Sequence, residues 1–139
     1  MAKRTSPKAV LAAWAVAFNQ HDVDTLATLY SEDAVNHQVA DEPVQGRDAI
    51  ATGFSFMFNE FPDMGFELIN LYEDDEWAII EWHGWSTHRS KIDDPAYKGR
   101  DGKRMHGCGF FRIIEGKIVF QRGYWDRETW QRTSGAPAE

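Results

Sequence analysis

The chain has a single cysteine, Cys108, among its 139 residues, so no disulfide framework holds the fold. Long apolar runs are missing as well. The Ala-rich stretch after MAKRTSPK is broken by polar residues, so nothing reads as a secretory leader or a bilayer span. Basic residues are the minority, 15 Lys and Arg against 22 Asp and Glu, giving a net charge of -7 with no basic stripe. Nucleic acid and anionic membrane surfaces are therefore poor partners. The 5 His include no close pair on one helix face, and there is no Cys pair. His37, His106 and Asp126 imitate a two-His, one-carboxylate set, but their spacing does not support one. No metal and no cofactor is expected, and the expected location is the cytoplasm.

What is present is an aromatic excess. Aromatics make up 14% of the chain with 6 Trp, more than a small core needs, which suggests a lined cavity or an aromatic interface. A chain of this length fits one domain with one core, residues 1–139.

Local signals divide the chain into helices first and strands after. Ser6 is a good N-cap and Pro7 suits the first helical position, with Val10, Leu11, Trp14, Val16, Ala17 and Phe18 at roughly helical spacing as far as about His21. Asp22 can cap a second helix, Val23 to Tyr30. A short strand is expected over Ala34 to Gln38, and a third helix over Arg47 to Phe61, stopped by Pro62. Strands are expected at Gly65–Glu73, Trp77 to about Ser90, Met105–Ile114 and Lys117–Asp126. Lys91–Lys103 is a polar loop long enough to be a lid or pocket rim. The ends, 1–5 and 133–139, are expected to be disordered. This pattern predicts one α+β domain with an antiparallel meander.

The final hairpin can be read more closely. A two-residue turn on Glu115-Gly116 would force Glu115 to positive φ, at about 1–2 kcal/mol. A three-residue loop, Ile114-Glu115-Gly116, avoids that cost and pairs Ile113 with Lys117. Phe110 then faces Phe120, Cys108 faces Arg122, and His106 faces Tyr124 with Asp126 diagonal to it. Met105, Gly107, Gly109 and Phe111 share the other face with Val119, Gln121, Gly123 and Trp125. The bare glycines permit close approach of a helix or partner subunit.

Six segments, in this order, carry a family resemblance: LYSEDAVNHQ (29–38), VQGRDAI (44–50), EFPDMGFEL (60–68), the WST-His pattern ending at His88, DGKRMHGCGFFRIIEGKIV (101–119) and YWDRETWQR (124–132). Together they resemble the SnoaL-like polyketide cyclase group of the nuclear transport factor 2-like superfamily. The resemblance implies a cone-shaped domain in which a curved, mostly antiparallel sheet wraps around three helices. It also implies a ligand cavity between sheet and helices, and homodimers formed through the outer sheet face. The family's acid/base aspartate, at the end of the last strand, matches Asp126, and its first-strand polar residue matches His37. The chain departs from the family at Gln131-Arg132-Thr133, where a Gln-Leu-Gly type ending is usual. No Asp lies on the 77–90 strand, which weighs against the fold's epoxide hydrolase chemistry.

Asp126 is thus either a solvated strand end or the acid/base group of a pocket, where burial would raise its pKa. In the second reading it moves a proton alpha to a carbonyl, as an aldol cyclase, isomerase or dehydratase requires. His106 or Tyr124 would then stabilise the enolate oxygen. The ordinary reading of the pair, and the one their residue types favour, is a satisfied strand histidine and a packing tyrosine. His37 is a candidate at the cavity, and Trp14, Phe58, Trp82 and Phe110 are candidate ligand contacts. Cys108 reads as a small buried hydrophobe. Two functions remain open: a cofactor-free enzyme acting on a flat, apolar, carbonyl-bearing compound, and a ligand-binding or accessory domain without chemistry.

Overall fold

The structure, a computed structural model, describes residues 5–39, 41–97 and 105–137. Its elements run α1 (Pro7–Asn19), α2 (Val23–Thr28), β1 (Tyr30–Gln38), β2 (Val44–Gln45), α3 (Arg47–Glu60), β3 (Gly65–Asp74), β4 (Trp77–Trp85), a 3-10 turn (Arg89–Lys91), β5 (Met105–Ile114), β6 (Lys117–Trp125) and α4 (Arg127–Ser134). The strands form one curved, unclosed sheet in the order β2-β1-β6-β5-β4-β3. β3 to β6 are the expected antiparallel meander, and β1 joins it parallel to β6. This is the α+β architecture anticipated above.

Local chemistry explains the helix starts. Ser6 accepts the Ala9 N–H at 3.1 Å and Pro7 follows it, satisfying a donor that the helix itself cannot. Val10, Leu11, Trp14 and Ala17 then form the buried stripe of α1. Asp22 caps α2 through the Thr25 N–H. That helix stops at Thr28, and Tyr30 opens β1 instead of closing α2. The acidic Ser31-Glu32-Asp33 stretch therefore lies inside a strand, beside an irregularity between Tyr30 and Val35.

One sheet face meets the helices. Ala78, Ile80, Phe111, Ile113, Ile118 and Gln121 are buried on it. Trp14 of α1 packs on Phe111 with ring centroids 5.0 Å apart, and Phe18 links Phe54, Phe58 and Phe66 at 5.1 to 6.1 Å. Burying a large apolar side chain is worth about 1.5–3 kcal/mol, so this aromatic cluster dominates the core.

Three further features differ from expectation. β4 ends at Trp85, not near Ser90, because the Asp63 carboxylate takes Thr87 N at 2.6 Å and Thr87 Oγ1 at 2.8 Å, pulling the chain off the sheet. The C-terminal segment is ordered further than expected. α4 runs through a fully buried Ser134, whose carbonyl accepts the His88 N–H at 2.8 Å, and Gly135 caps the helix at φ 71°. Of the expected 91–103 lid, residues 98–103 lie outside the described residues.

The third difference is the hairpin register. The turn is the two-residue form, with Glu115 at φ 52° and Gly116 at φ 78°. Ile114 pairs with Lys117 and Ile113 with Ile118, and an irregularity follows, after which Arg112 pairs with Phe120, Phe110 with Arg122 and Cys108 with Tyr124. The pairing is thus two residues away from expectation, but each face keeps its members. The reason is burial. Ile118 is 0% exposed and Gln121 6%, and an odd and an even position can face inward together only across a bulge. Enclosing Ile118 outweighs the left-handed cost at Glu115.

Candidate functional site

The cone interior is organised by two hydrogen-bond chains, each starting at an indole. In the first, Trp14 Nε1 donates to Tyr30 Oη at 2.9 Å, and Tyr30 Oη donates to Gln121 Oε1. In the second, Trp125 Nε1 donates to Gln38 Oε1 at 3.0 Å, and Gln38 Nε2 donates to Asn36 Oδ1 at 2.7 Å. An indole N–H can only donate. Tyr30 must therefore spend its one proton on Gln121, and Gln38 must turn its oxygen to Trp125. Each chain forces the last amide to present its oxygen backward and its NH2 group forward.

Those last amides are neighbours. Asn36 on β1 pairs with Gln121 on β6, both on the inner face, in strands about 4.8 Å apart. Among the described residues neither Asn36 Nδ2 nor Gln121 Nε2 donates to a protein acceptor. The inner face thus carries two amide donors at paired positions of neighbouring strands. Burial pushes the Tyr30 phenol well above its ordinary 10.0, with the Trp14 N–H partly opposing it, so the first chain keeps its direction throughout the neutral range.

Beside the amides the sheet is bare, and its own side chains fold over the gap. A Cβ on Gly107 would lie 2.1 Å from the Trp82 ring, and one on Gly123 would lie 2.2 Å from Gln38 Oε1. The glycine patch therefore faces inward and is covered by Trp82 and Gln38, where a helix or partner subunit was expected. Trp125 contacts Trp130 of α4 at 5.8 Å, and Trp130 contacts Phe61 at 5.2 Å. Trp130 Nε1 also donates to Ser86 Oγ at 3.2 Å. A cleft of about 310 Å³ is lined by Asn19, Asp63, Met64, Phe66 and Trp85, and not by Asn36 or Gln121.

The residues singled out from sequence are distributed differently from expectation. Asp126 is exposed and is the N-cap of α4, accepting the Thr129 N–H at 3.2 Å and the Thr129 hydroxyl. The hydroxyl bond is the main reason its carboxyl sits below the ordinary 3.8, the reverse of the expected rise. His106 and Tyr124 share a face, as predicted, but it is the outer one. Tyr124 is 43% exposed, and the His106 ring lies 3.8 Å from that of His83, tilted by 58°. Asp126, His106 and Tyr124 are therefore not gathered in a cavity. His37 is also outward, because β1 sets it beside Arg122, whose Nε donates to His37 Nδ1 at 3.2 Å. Phe110 is outward too, paired with Arg122 and 6.0 Å from Tyr124. Trp14 is in the core and Trp82 packs against it. Phe58 is core, its ring 4.1 Å from His21 and nearly parallel to it. His88 leaves the sheet and lies 3.9 Å from Glu60, which pairs with Arg89 at 2.7 Å.

Sequence reasoning missed Asn36, Gln38, Tyr30 and Gln121. One signal was available for Gln121: a glutamine sharing a strand face with Phe111 and Trp125. The others depend on partners up to 91 residues apart.

Solved structures share this fold. A protein with a ketosteroid isomerase-like fold from Catenulispora acidiphila, crystallised with trimethylamine, is 18% identical, with a TM-score of 0.79 and 96% of each chain covered. A candidate polyketide cyclase from Xanthomonas campestris is 18% identical, with a TM-score of 0.77 over 94% of this chain and 97% of that one. IdmH of Streptomyces antibioticus, also a candidate polyketide cyclase, is 23% identical, with a TM-score of 0.75 over 95% of this chain and 100% of its own. No curated protein matches at the level of sequence. The family profile of the SnoaL-like domain matches residues 11–121, most of the chain, and the chain belongs to that family.

Proposed function

We propose that this chain binds a flat, mostly apolar, carbonyl-bearing small molecule inside the cone, with the ligand oxygen on Asn36 Nδ2 and Gln121 Nε2. The observation that carries this reading is the pair of forced amide donors on neighbouring strands. Trp82, Trp125 and Trp130 supply an apolar wall, and such a wall with a few convergent polar groups is the usual make-up of a small-molecule site. Two structural neighbours named as candidate polyketide cyclases support a polycyclic or aromatic ketone as the ligand class. Entry requires Trp82 to swing off Gly107, with Gln38 staying on Trp125 and Asn36.

Paired amide donors also suit the oxyanion of an aldol or isomerase step, which keeps the cofactor-free enzyme reading alive. The acid/base part assigned to Asp126 is what its position argues against: it faces water, and hydrogen bonds favour its charged form. Binding is therefore the better-supported function. Titration with 9-fluorenone and with fluorene, followed by tryptophan fluorescence, tests the reading. The ketone should bind more tightly than the hydrocarbon, and Asn36→Leu or Gln121→Leu should weaken only the ketone, by about tenfold. Equal affinities for the two compounds would sink it. If a turned-over ketone is found, equal rates for wild type and Asp126→Asn would remove Asp126 from the chemistry.

The outer sheet face suits self-association. Ile69, Tyr72 and Tyr124 are exposed on or beside it, next to Ile79 and Phe110, and we propose that it pairs two copies. Light scattering of wild type and Tyr72→Glu reads this directly, with a dimer expected for wild type only.

A further inference from the structure

The outer face carries a second chemical grouping that carbonyl binding does not use. His83 on β4 pairs directly with His106 on β5, and in the adjoining row of that face Glu81 pairs directly with Cys108. The four side chains occupy a two-by-two block near the end of β4 and the start of β5. Directly paired residues have Cβ atoms about 5 Å apart, and same-face neighbours along a strand are about 6.7 Å apart. The His83 and His106 ring centroids lie 3.8 Å apart, with the planes tilted by 58°. Among the described residues neither imidazole has a hydrogen-bond or ion-pair partner, and the thiol of Cys108 is free. Glu81 accepts from Asn70 Nδ2 at 2.6 Å, and Glu67 of β3 flanks His83 on the far side.

We infer that His83, His106 and Cys108 form a site for a borderline transition-metal ion of the zinc class, with the Glu81 carboxylate as the nearest fourth ligand. Neutral imidazole is the commonest protein ligand for such ions and thiolate the softest. Ligand bonds of about 2.0–2.3 Å are within reach of three side chains at these Cβ spacings. As placed, no three ligand groups converge on a point. Rotation about the side-chain torsions of His83 and His106, which no hydrogen bond opposes, is what would aim the two rings at a common position. This site is on the opposite sheet face from Asn36 and Gln121, so it stands or falls independently of the carbonyl reading.

The test is titration of the full chain with Zn2+ by calorimetry and with Co2+ by absorption. One saturable ion per chain is expected at micromolar affinity, with a thiolate-to-cobalt charge-transfer band that Cys108→Ser abolishes. His83→Gln and His106→Gln should each weaken binding by about tenfold or more, while His37→Gln, elsewhere on the same face, should leave it unchanged. Thermal unfolding of each variant shows that it is folded. Absence of saturable binding, absence of the thiolate band, or an affinity unchanged in either histidine variant overturns the site.

Discussion

Asp126 Oδ2 accepts the backbone N–H of Thr129 at 3.2 Å, so the carboxylate just past the final strand is the N-cap of α4. Asparagine caps as well as aspartate does, and alanine does not. Asp126→Ala should therefore lower the melting temperature measurably, with Asp126→Asn close to wild type at neutral pH. The carboxyl lies below its ordinary 3.8, so its contribution is complete above 3.8 and fades as pH falls through the lower folded-state value. Guanidinium unfolding at a series of acidic pH values should show the wild-type advantage over Asp126→Ala shrinking there. A constant gap would contradict the cap account.

Tyr30→Phe should cost about 1–3 kcal/mol, because it leaves the Trp14 N–H and the Gln121 oxygen without a partner in the interior. Combining it with Gln121→Leu should cost less than the two single changes summed. Urea unfolding of the four proteins measures the difference, and strict additivity would show that the chain is not coupled.

The Tyr30 phenol also predicts alkaline sensitivity. Its folded-state pKa is raised by burial above the ordinary 10.0, so the folded state holds the proton longer than the unfolded one. The stability it contributes is present below 10.0 and is lost as pH rises beyond it. Above about pH 10 wild type should lose stability more steeply than Tyr30→Phe.

Gly107→Ala would set a methyl group 2.1 Å from the Trp82 ring and should destabilise by about 1–3 kcal/mol. Adding Trp82→Ala should recover part of that loss by making room. Lack of recovery would show that the Trp82 ring does not cover the glycine floor.

Glu115→Gly should stabilise by less than about 1 kcal/mol, since relief of the left-handed strain exceeds the extra freedom of glycine in the unfolded chain. A destabilised variant would mean that the Glu115 backbone is not strained at φ 52°.

Much of the frame is written locally. Ser6-Pro7 starts α1, Pro62 lies just past α3, and strand alternation assigns His106, Cys108 and Phe110 to one face with Arg122 and Tyr124. These depend on caps, on a missing N–H and on the two-residue period of a strand. Alternation says which residues share a face but not which face meets the helices. Only the folded core decided that, by enclosing Ile118, Phe111 and Gln121 on one side, and it thereby sent His37, His106 and Tyr124 outward. The turn was likewise settled from a distance, because burying Ile118 outweighed the backbone strain at Glu115. The amide pair is still less local. Asn36 and Gln121 point forward because indoles at positions 125 and 14 hold the other ends of their chains. That orientation follows from contacts between segments far apart in sequence, which no local pattern of the chain can encode.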